Sequence, residues 1–464
     1  MSSTKSYNTI IIGSGQGAYP LAKELANKQL KVAVIERDKL GGTCINWGCT
    51  PTKTLYASAR VAHVVKKAHE YGIEVKDISI NFPQVMERKN KVVDIWHDGI
   101  TNNLEKDENI DVYYGEGSFI NNRTVKIKQN NNEETKITAD RIVINTGARA
   151  RVQDIEGLEK IDYLDNKKIL QLKTLPEHLV IIGGGYIALE FGQMFKRFGS
   201  EVTIIQRSGR LLSREDDDIS DHVKKILEEE GIQVKVDSRV TKIRKNSDND
   251  YTFTIETNGN NEDIHGTHLL MAIGRIPNSD SLNLQTAGIE TESNGVIKIN
   301  KYLETSTPGI YAIGDVKGGP AFTHISYDDY RILKELWFEN SNRTINERSI
   351  PSTVFIDPQL GRIGFNEKQA KKQNLSYDLY KMNMSAIARA FEMGETKGIL
   401  KVLVNPVYQT ILGASILGFE GGELMNMIQI AIEAKMNINK LKNGVFAHPT
   451  LAEGFNNLFT YYKV

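Results

Sequence analysis

Two apolar runs in this chain each lead directly into a glycine-rich turn, and the two turns lie about 170 positions apart. Residues 9–12 precede the segment Gly-Ser-Gly-Gln-Gly-Ala at 13–18, and residues 179–182 precede Gly-Gly-Gly-Tyr-Ile-Ala at 183–188. A buried strand, a tight glycine turn and a helix, in this order, form the phosphate-binding corner of a dinucleotide site. The repeat therefore predicts an α/β fold that contains two Rossmann-like nucleotide-binding domains.

The residue types of the first turn suit the binding of a dinucleotide. Gly13 permits the bend, Gly15 lets the backbone approach a pyrophosphate, and Ala18 allows the helix to pack closely on the strand. The next predicted strand, residues 31–35, ends at Glu36, whose carboxylate can accept hydrogen bonds from the ribose hydroxyls of an adenosine. The corresponding residues of the second turn are Gly183, Gly185 and Ala188.

The chain has only two cysteines, Cys44 and Cys49, among its 464 residues. A disulfide that closes so short a loop would stabilise a large protein very little. A cysteine at a helix start feels unpaired backbone N–H groups and the positive end of the helix dipole, which favour the reactive thiolate. These arguments favour a reactive pair, and the alternative is two unrelated, buried, small hydrophobic residues.

Length and charge narrow the class of protein. A chain of 464 residues exceeds what one hydrophobic core usually organises, so several domains are expected. Lys plus Arg equals Asp plus Glu, at 58 each, so no net field indicates a nucleic-acid partner.

We find no signal peptide and no apolar run long enough for a membrane span, and we expect a cytoplasmic protein. His63 and His69 have no neighbours at metal-ligand spacing, so we predict no metal site.

The choice of nicotinamide coenzyme is indicated at the end of the predicted strand 201–205. A site for NAD usually carries an acidic residue there, whereas this chain has Gln206, followed by Arg207 and Arg210. An amide removes repulsion toward a 2′-phosphate, and guanidinium groups bind phosphate with charge-assisted hydrogen bonds. The pattern favours NADPH and leaves NADH possible. The alternative is that both arginines are solvated loop charges ahead of the acidic run 215–218.

The segment 41–53 reads Gly-Gly-Thr-Cys-Ile-Asn-Trp-Gly-Cys-Thr-Pro-Thr-Lys. It resembles the redox-active segment of the FAD-dependent pyridine nucleotide-disulfide oxidoreductases, which include glutathione reductase, dihydrolipoamide dehydrogenase and mercuric reductase. The resemblance covers essentially the whole chain, with further motifs at 115–119, 142–148, 273–278, 305–315 and 448–453. It implies an FAD-binding domain (1–150), an NAD(P)H-binding domain (151–277), a return segment of the FAD domain (278–345) and an α+β dimerisation domain (346–464).

The resemblance also implies roles for the reactive residues in a homodimer with one FAD per subunit. Cys49 would face the flavin, and Cys44 would be the interchange thiol that meets a small-molecule substrate. His448 of the partner subunit would act as the acid–base group, with Glu453 holding its imidazole. Lys53, paired with Glu190, would place a cation beside the flavin. The other implied contacts with FAD are Gly42, Thr43, Gly117, Thr146, Gly147 and Asp315, and those with the nicotinamide coenzyme are Tyr186 and Gly274.

Within the family, the chain is similar to a bacterial branch of mercuric-reductase-like flavoproteins that includes reactive-chlorine-resistance and hypothiocyanous acid reductases. The similarity lies in residues 322–331, 386–390 and 445–449. Mercury reduction is disfavoured because the chain lacks the C-terminal cysteine pair of mercuric reductase. Dihydrolipoamide dehydrogenase is the second choice, because Gln206 replaces its acidic residue and Phe446 replaces its usual histidine.

The predicted function is therefore that of an FAD-dependent oxidoreductase. It would pass a hydride from NADPH through flavin to the Cys44–Cys49 pair, and then to a small disulfide, a thiol-reactive oxidant or a metal ion. A flavin-bearing redox sensor with negligible turnover is the alternative from another class. The acid–base pair His448 and Glu453 disfavours it, because a sensor needs no base.

Overall fold

The computed structural model of the protein describes residues 4–248 and 250–464. The strands of these residues are β1 (Lys5–Ile12), β2 (Val32–Glu36), β3 (Ile110–Asn121), β4 (Thr124–Gln129), β5 (Glu134–Ile144), β6 (Ala148–Ala150), β7 (His178–Ile182), β8 (Glu201–Ile205), β9 (Gln233–Lys235), β10 (Ser238–Ser247), β11 (Asp250–Thr257), β12 (Asn260–Gly266), β13 (His268–Met271), β14 (Arg275–Pro277), β15 (Ile310–Ala312), β16 (Ser352–Val354), β17 (Gln359–Gly364), β18 (Asp378–Asn383), β19 (Ile399–Val404) and β20 (Ile411–Gly418). The α-helices are α1 (Ala18–Asn27), α2 (Gly42–Trp47), α3 (Cys49–Lys66), α4 (Phe82–Glu105), α5 (Tyr186–Phe198), α6 (Asp217–Glu229), α7 (Thr323–Phe338), α8 (Glu367–Lys372), α9 (Ala388–Glu392), α10 (Gly421–Glu433), α11 (Asn439–Lys442) and α12 (Gly454–Tyr461).

The chain divides into two compact units, each built from separate stretches of sequence. The first unit contains the described residues up to Thr54, together with Gln84–Arg151 and Gly274–Arg348. The second contains Leu55–Pro83, Val152–Ile273 and Ser349–Val464. The division falls inside α3, the helix that begins at Cys49. The domain boundaries inferred from the sequence remain predictions.

A parallel sheet organises the first unit. Its strands pair in the order β3-β2-β1-β5-β15, and the antiparallel β4 joins the far ends of β3 and β5. Ile10 and Ile12 of β1 pack into one apolar cluster and Ile11 packs into another, as the two-residue period of a strand requires. The sheet is therefore covered on both faces, and α1 contributes Leu21 and Leu25 to the second cluster.

The second unit contains a smaller parallel sheet, with strand order β13-β7-β8-β9. An antiparallel sheet, β10-β11-β12, lies in the same unit. The C-terminal part forms a five-stranded antiparallel sheet, β16-β17-β20-β19-β18, on which α10 packs. The predicted α/β class is confirmed. At the second glycine turn, β8 spans the predicted residues 201–205, and β7 begins one residue before the predicted strand 179–182.

The structure also bears on the expected absence of a membrane span. Within the described residues, none of the helices combines the length and the apolar character that crossing a bilayer requires.

Candidate active site

Cys44 and Cys49 lie on two consecutive helices of the first unit. Cys44 belongs to the short helix α2, and Cys49 is the first residue of α3, with Gly48 between the helices. A Cβ atom on Gly48 would lie 2.9 Å from the carbonyl oxygen of Thr43 and 3.4 Å from Cα of Cys44. Only a glycine fits this close approach between the two helices. The approach places the thiols of Cys44 and Cys49 within hydrogen-bonding distance of each other.

The two thiols are not equivalent. Cys44 is half-buried and Cys49 is exposed, and they are not joined by a disulfide in this structure. The hydrogen bond with Cys49, burial and the charge of Cys49 raise the pKa of the Cys44 thiol. The thiolate of Cys44 is therefore disfavoured, so Cys44 needs a base to remove its proton.

Thr323 is a site residue that the sequence analysis did not identify. It is the first residue of α7, and its Oγ1 lies 3.2 Å from Sγ of Cys49. The two residues are 274 positions apart in sequence, so no local pattern could connect them. The segment 322–331 was noted only for its similarity to one branch of the family.

The cysteine segment packs directly against the first glycine turn. A Cβ atom on Gly42 would lie 2.7 Å from Cα of Gly15, and the Gly41 N–H donates to Oγ of Ser14 at 3.1 Å. Gly13 has a φ of 95°, and a Cβ atom there would lie 2.4 Å from the carbonyl oxygen of Asn145. The turn that was predicted to bind FAD and the predicted redox pair thus meet in the same unit.

Glu36 lies at the end of β2, as predicted, and is buried. Its Oε2 accepts hydrogen bonds from the Ser14 N–H at 2.9 Å and from the Ser14 hydroxyl at 2.7 Å. Its Oε1 accepts from the Asp38 N–H at 2.9 Å. The carboxylate therefore fixes the shape of the glycine turn, while its role toward a ribose stays a prediction.

Other predicted FAD contacts lie where the return segment meets the main sheet. Oδ2 of Asp315 accepts a hydrogen bond from Arg275 at 2.9 Å, just after β15. The Thr146 hydroxyl donates to the carbonyl oxygen of Asn278 at 2.7 Å, and the Asn278 side chain donates to the Thr146 carbonyl at 2.9 Å. Arg275 and Asn278 thus hold the two predicted contacts in place.

Three predicted glycines differ in how much space surrounds them. A Cβ atom on Gly147 or Gly274 would meet nothing within 4 Å, so the backbone there is open to a cofactor. Gly117 of β3 instead faces Ile12 and Ile35, each 3.3 Å from the position of a Cβ atom. Gly117 therefore contributes close packing to the sheet.

The second glycine turn forms the predicted coenzyme corner of the second unit. Gly183 has a φ of 118°, and a Cβ atom there would lie 2.3 Å from the carbonyl oxygen of Ala272. Gly185 is open, α5 begins at Tyr186, and Ala188 is buried against the sheet. Burial raises the pKa of Tyr186. The corner thus has the tight turn and the open position that a pyrophosphate requires.

The two arginines of the predicted coenzyme loop differ in their surroundings. Nε of Arg210 lies 3.0 Å from Oδ1 of Asp221, and its Nη1 lies 3.5 Å from Oδ2 of Asp217. Arg207 is exposed to solvent, and the Gln206 side chain donates to Oγ of Ser208. The charge of Arg210 is therefore largely compensated by neighbouring carboxylates.

The predicted acid–base residues are adjacent in the second unit. Nδ1 of His448 lies 2.9 Å from Oε2 and 3.2 Å from Oε1 of Glu453. Because Nδ1–H donates to the carboxylate, Nε2 is left as the proton acceptor of the neutral ring. The imidazole is 67% exposed, so this nitrogen is accessible.

The predicted pair of Lys53 and Glu190 stays a prediction. Lys53 lies on α3, about one turn after Cys49. Glu190 is buried on α5, where its Oε1 accepts a hydrogen bond from the Phe355 N–H at 2.9 Å.

Comparison with known families decides the class of this site. Residues 7–329 match the model of the pyridine nucleotide-disulphide oxidoreductases, and residues 350–459 match the dimerisation domain of the same proteins. The chain belongs to this family. It is therefore a flavoprotein oxidoreductase that uses FAD and NAD(P)H, and the predicted family, enzyme class and fold are confirmed.

Individual relatives show which branches are similar. The probable pyridine nucleotide-disulfide oxidoreductase RclA of Escherichia coli K12 is 36% identical, over 98% of this chain and 99% of the relative. Mercuric reductase of Bacillus cereus is 34% identical, over 97% of this chain and 70% of the relative. Dihydrolipoyl dehydrogenase of Geobacillus stearothermophilus is 32% identical, over 96% and 94%. The two alternative activities thus belong to more distant relatives.

A solved structure of RclA is also similar to this chain. The Cu(II) complex of the HOCl-induced flavoprotein disulfide reductase RclA from Escherichia coli superposes with a TM-score of 0.90. The identity is 35%, and the match covers 98% of this chain and 99% of the other.

Proposed function

We propose that this protein is a homodimeric, NADPH-dependent disulfide reductase whose Cys44 attacks a small disulfide or another thiol-reactive oxidant. The observation that supports it most is the pair of hydrogen-bonded thiols packed against the first glycine turn. The similar RclA of Escherichia coli is HOCl-induced and forms a Cu(II) complex, which supports oxidants and copper as candidate substrates. A dithiol that NADPH keeps reduced suits the reducing cytoplasm.

The residues of the first unit fit an FAD molecule. Gly13 and Gly15 supply the tight turn, and Gly147 provides backbone beside open space. Glu36 and Asp315 would bind hydroxyl groups, since both are held in place by hydrogen bonds. When bound, FAD supplies two-electron transfer between a reduced nicotinamide and the cysteine pair.

The reduced cysteine pair can perform the second half of the reaction with balanced electrons. The Cys44 thiolate attacks one sulfur of the substrate disulfide, forms a mixed disulfide and releases the other sulfur as a thiol. The Cys49 thiolate then attacks the Cys44 sulfur, which closes the Cys44–Cys49 disulfide and releases the second thiol. The cysteine pair loses two electrons, and the substrate gains them. One proton comes from the Cys44 thiol, and the second comes from solvent because Cys49 enters the reaction as a thiolate.

His448 of the partner subunit would accept the proton of Cys44 and return it to the leaving sulfur. Its Nε2 is the free acceptor because Nδ1 is engaged by Glu453. The dimerisation domain that the chain carries supports an assembly in which two subunits complete each site. A monomer would lack this base.

Arg207 is our proposed determinant of the preference for NADPH. Arg210 already faces Asp217 and Asp221, whereas Arg207 is exposed at the end of β8. Arg207→Met should raise KM for NADPH at least about tenfold without affecting KM for NADH, since hydrogen bonds to charged groups are worth about 1.5–3 kcal/mol. The matched control Arg210→Met should change KM for NADPH less. Equal effects of both variants would contradict the assignment.

Steady-state oxidation of NADPH tests the proposed function. The substrates to compare are hypothiocyanous acid, glutathione disulfide, lipoamide, Cu(II) and Hg(II), each with the FAD-loaded wild-type enzyme and its Cys44→Ser variant. We expect fast turnover with at least one of these acceptors, and its loss in the variant. If every acceptor gave only slow consumption of oxygen, the sensor or a simple oxidase would be favoured instead. If lipoamide were by far the best acceptor, the second choice among the enzymes would replace the first.

A further inference from the structure

We propose that Thr323 is a positioning residue that places the negative charge of the reduced cysteine pair on Cys49. Its hydroxyl lies 3.2 Å from Sγ of Cys49, at the first residue of α7. The inference deepens the proposed function, because it rests on Cys49 being the resting thiolate. It concerns the chain's own side chains and applies whatever the substrate is.

The chemistry of donors and acceptors assigns the direction of this contact. A thiolate only accepts hydrogen bonds, and a threonine hydroxyl has one proton to donate. With the charge on Cys49, its sulfur accepts from the Cys44 thiol and from the Thr323 hydroxyl together. Two donors on one sulfur stabilise its charged form, as hydrogen bonds to an ionised acceptor do generally.

The opposite distribution of charge is less favourable. The Thr323 hydroxyl also reaches Cys44 and lowers the pKa of that thiol, but the hydrogen bond and the charge of Cys49 act in the opposite direction and dominate. A single hydroxyl proton cannot serve both sulfurs at once. Since the thiolate of Cys44 is disfavoured, the hydroxyl donates to Cys49.

The helix that carries Thr323 is firmly held in the first unit. Asp329, less than two turns along α7, is fully buried and accepts a hydrogen bond from the Gly314 N–H at 2.8 Å. The same carboxylate lies 2.7 Å from Arg348 and 3.3 Å from Lys317. These contacts fix the first turns of α7, so the hydroxyl is positioned before any substrate binds.

Other ionisable groups lie near the pair, and the test must leave them unchanged. Lys53 lies on α3, the helix that begins at Cys49, and His324 follows Thr323 on α7. Both act through charge or through their own hydrogen bonds and are retained in every variant below. A change that follows the hydroxyl of residue 323 can therefore be assigned to that group.

The experiment measures the pKa of Cys49 alone, in the FAD-loaded Cys44→Ser protein. The rate of alkylation by iodoacetamide is followed against pH, and Thr323→Val, Thr323→Ala and Thr323→Ser are each added to this background. Loss of the hydroxyl in the Val and Ala variants should raise the pKa by about one unit, the shift expected for one hydrogen bond to a charged group. The Ser variant should stay within about 0.3 units of the parent.

Flavin content and the melting temperature show whether each variant is folded. Thr323→Ala adds no methyl group, so it keeps the test valid if the Val variant loses FAD. A pKa that stays within about 0.3 units of the parent in a folded Val or Ala variant would overturn the proposal. Since alkylation needs no turnover, failure to find a substrate would contradict the proposed function and leave this measurement intact.

Discussion

Replacing Gly48 by alanine should disturb the geometry of the thiol pair. The added Cβ atom would lie 2.9 Å from the carbonyl oxygen of Thr43 and 3.4 Å from Cα of Cys44. Both neighbours are backbone atoms, which cannot rotate out of the way as a side chain does. We therefore expect α2 to shift relative to α3 by a few tenths of an ångström.

The contact of the added methyl group with backbone atoms should lower the free energy of unfolding of Gly48→Ala. Inserting a methyl group into a close-packed region typically costs about 1–3 kcal/mol. Gly99 of α4 is the matched control, because a Cβ atom there would meet nothing within 4 Å. Replacing a glycine inside a helix by alanine stabilises by about 0.5–1 kcal/mol. Gly48→Ala and Gly99→Ala should therefore change stability in opposite directions.

Two measurements on the FAD-loaded proteins check this reasoning. Thermal unfolding should give a lower melting temperature for Gly48→Ala and an equal or higher one for Gly99→Ala. Titration of free thiols after reduction and reoxidation should show slower closure of the disulfide in Gly48→Ala, because disulfide geometry tolerates little displacement of the Cβ atoms. If the two variants shifted the melting temperature alike and closed the disulfide at the wild-type rate, the close approach at Gly48 would not control the thiol pair.

Three further outcomes are expected. Glu453→Gln should lower kcat at least about tenfold, measured by NADPH oxidation with the best acceptor. The melting temperature should stay unchanged, because the carboxylate belongs to an exposed pair. An unchanged kcat would contradict the orienting role of Glu453. Arg197→Met removes a guanidinium group that is 4% exposed and 2.7 Å from Asp357, and should lower the free energy of unfolding in urea by about 3–5 kcal/mol. The control Lys397→Met, which breaks an exposed ion pair, should cost less than about 1 kcal/mol; similar losses in the two variants would contradict the argument. Burial and the charge of Arg197 lower the pKa of His63 from 6.5 to about 4. Between these two pH values the folded state binds fewer protons than the unfolded state. The free energy of unfolding should therefore fall as the pH drops from about 6.5 to about 4. In His63→Gln, urea titrations across this range should show a smaller fall.

Local sequence patterns located a strand of the second unit and the helix start at the cysteine pair. The apolar run before Gln206 predicted a strand at 201–205, and β8 spans these residues. A cysteine at the start of a helix was expected, and α3 begins at Cys49. Pro51 is tolerated in the first turn of this helix, where its missing N–H would have no partner within the helix.

Contacts between distant parts of the chain could not be predicted from such patterns. Arg197 and Asp357 are 160 positions apart and both are buried, although arginine and aspartate are usually exposed. Thr323 approaches Cys49 across 274 positions. A sequence shows which side chains can donate or accept, but the pairing of these groups depends on the packing of whole units.

Because the pKa of Cys44 is raised, its thiol needs a base such as His448, and the contribution of His448 to kcat should depend on pH. At neutral pH the Cys44 thiol is protonated, because the hydrogen bond with Cys49, burial and the charge of Cys49 all disfavour its thiolate. An imidazole that removes the proton is then worth about 10²–10⁴ in rate. As the pH rises toward the pKa of Cys44, hydroxide performs the same task, so the ratio of wild-type kcat to that of His448→Asn should become smaller. A ratio that stayed constant from pH 6 to about 9, on either side of the ordinary pKa of a thiol, would show that His448 does not act on the proton of Cys44.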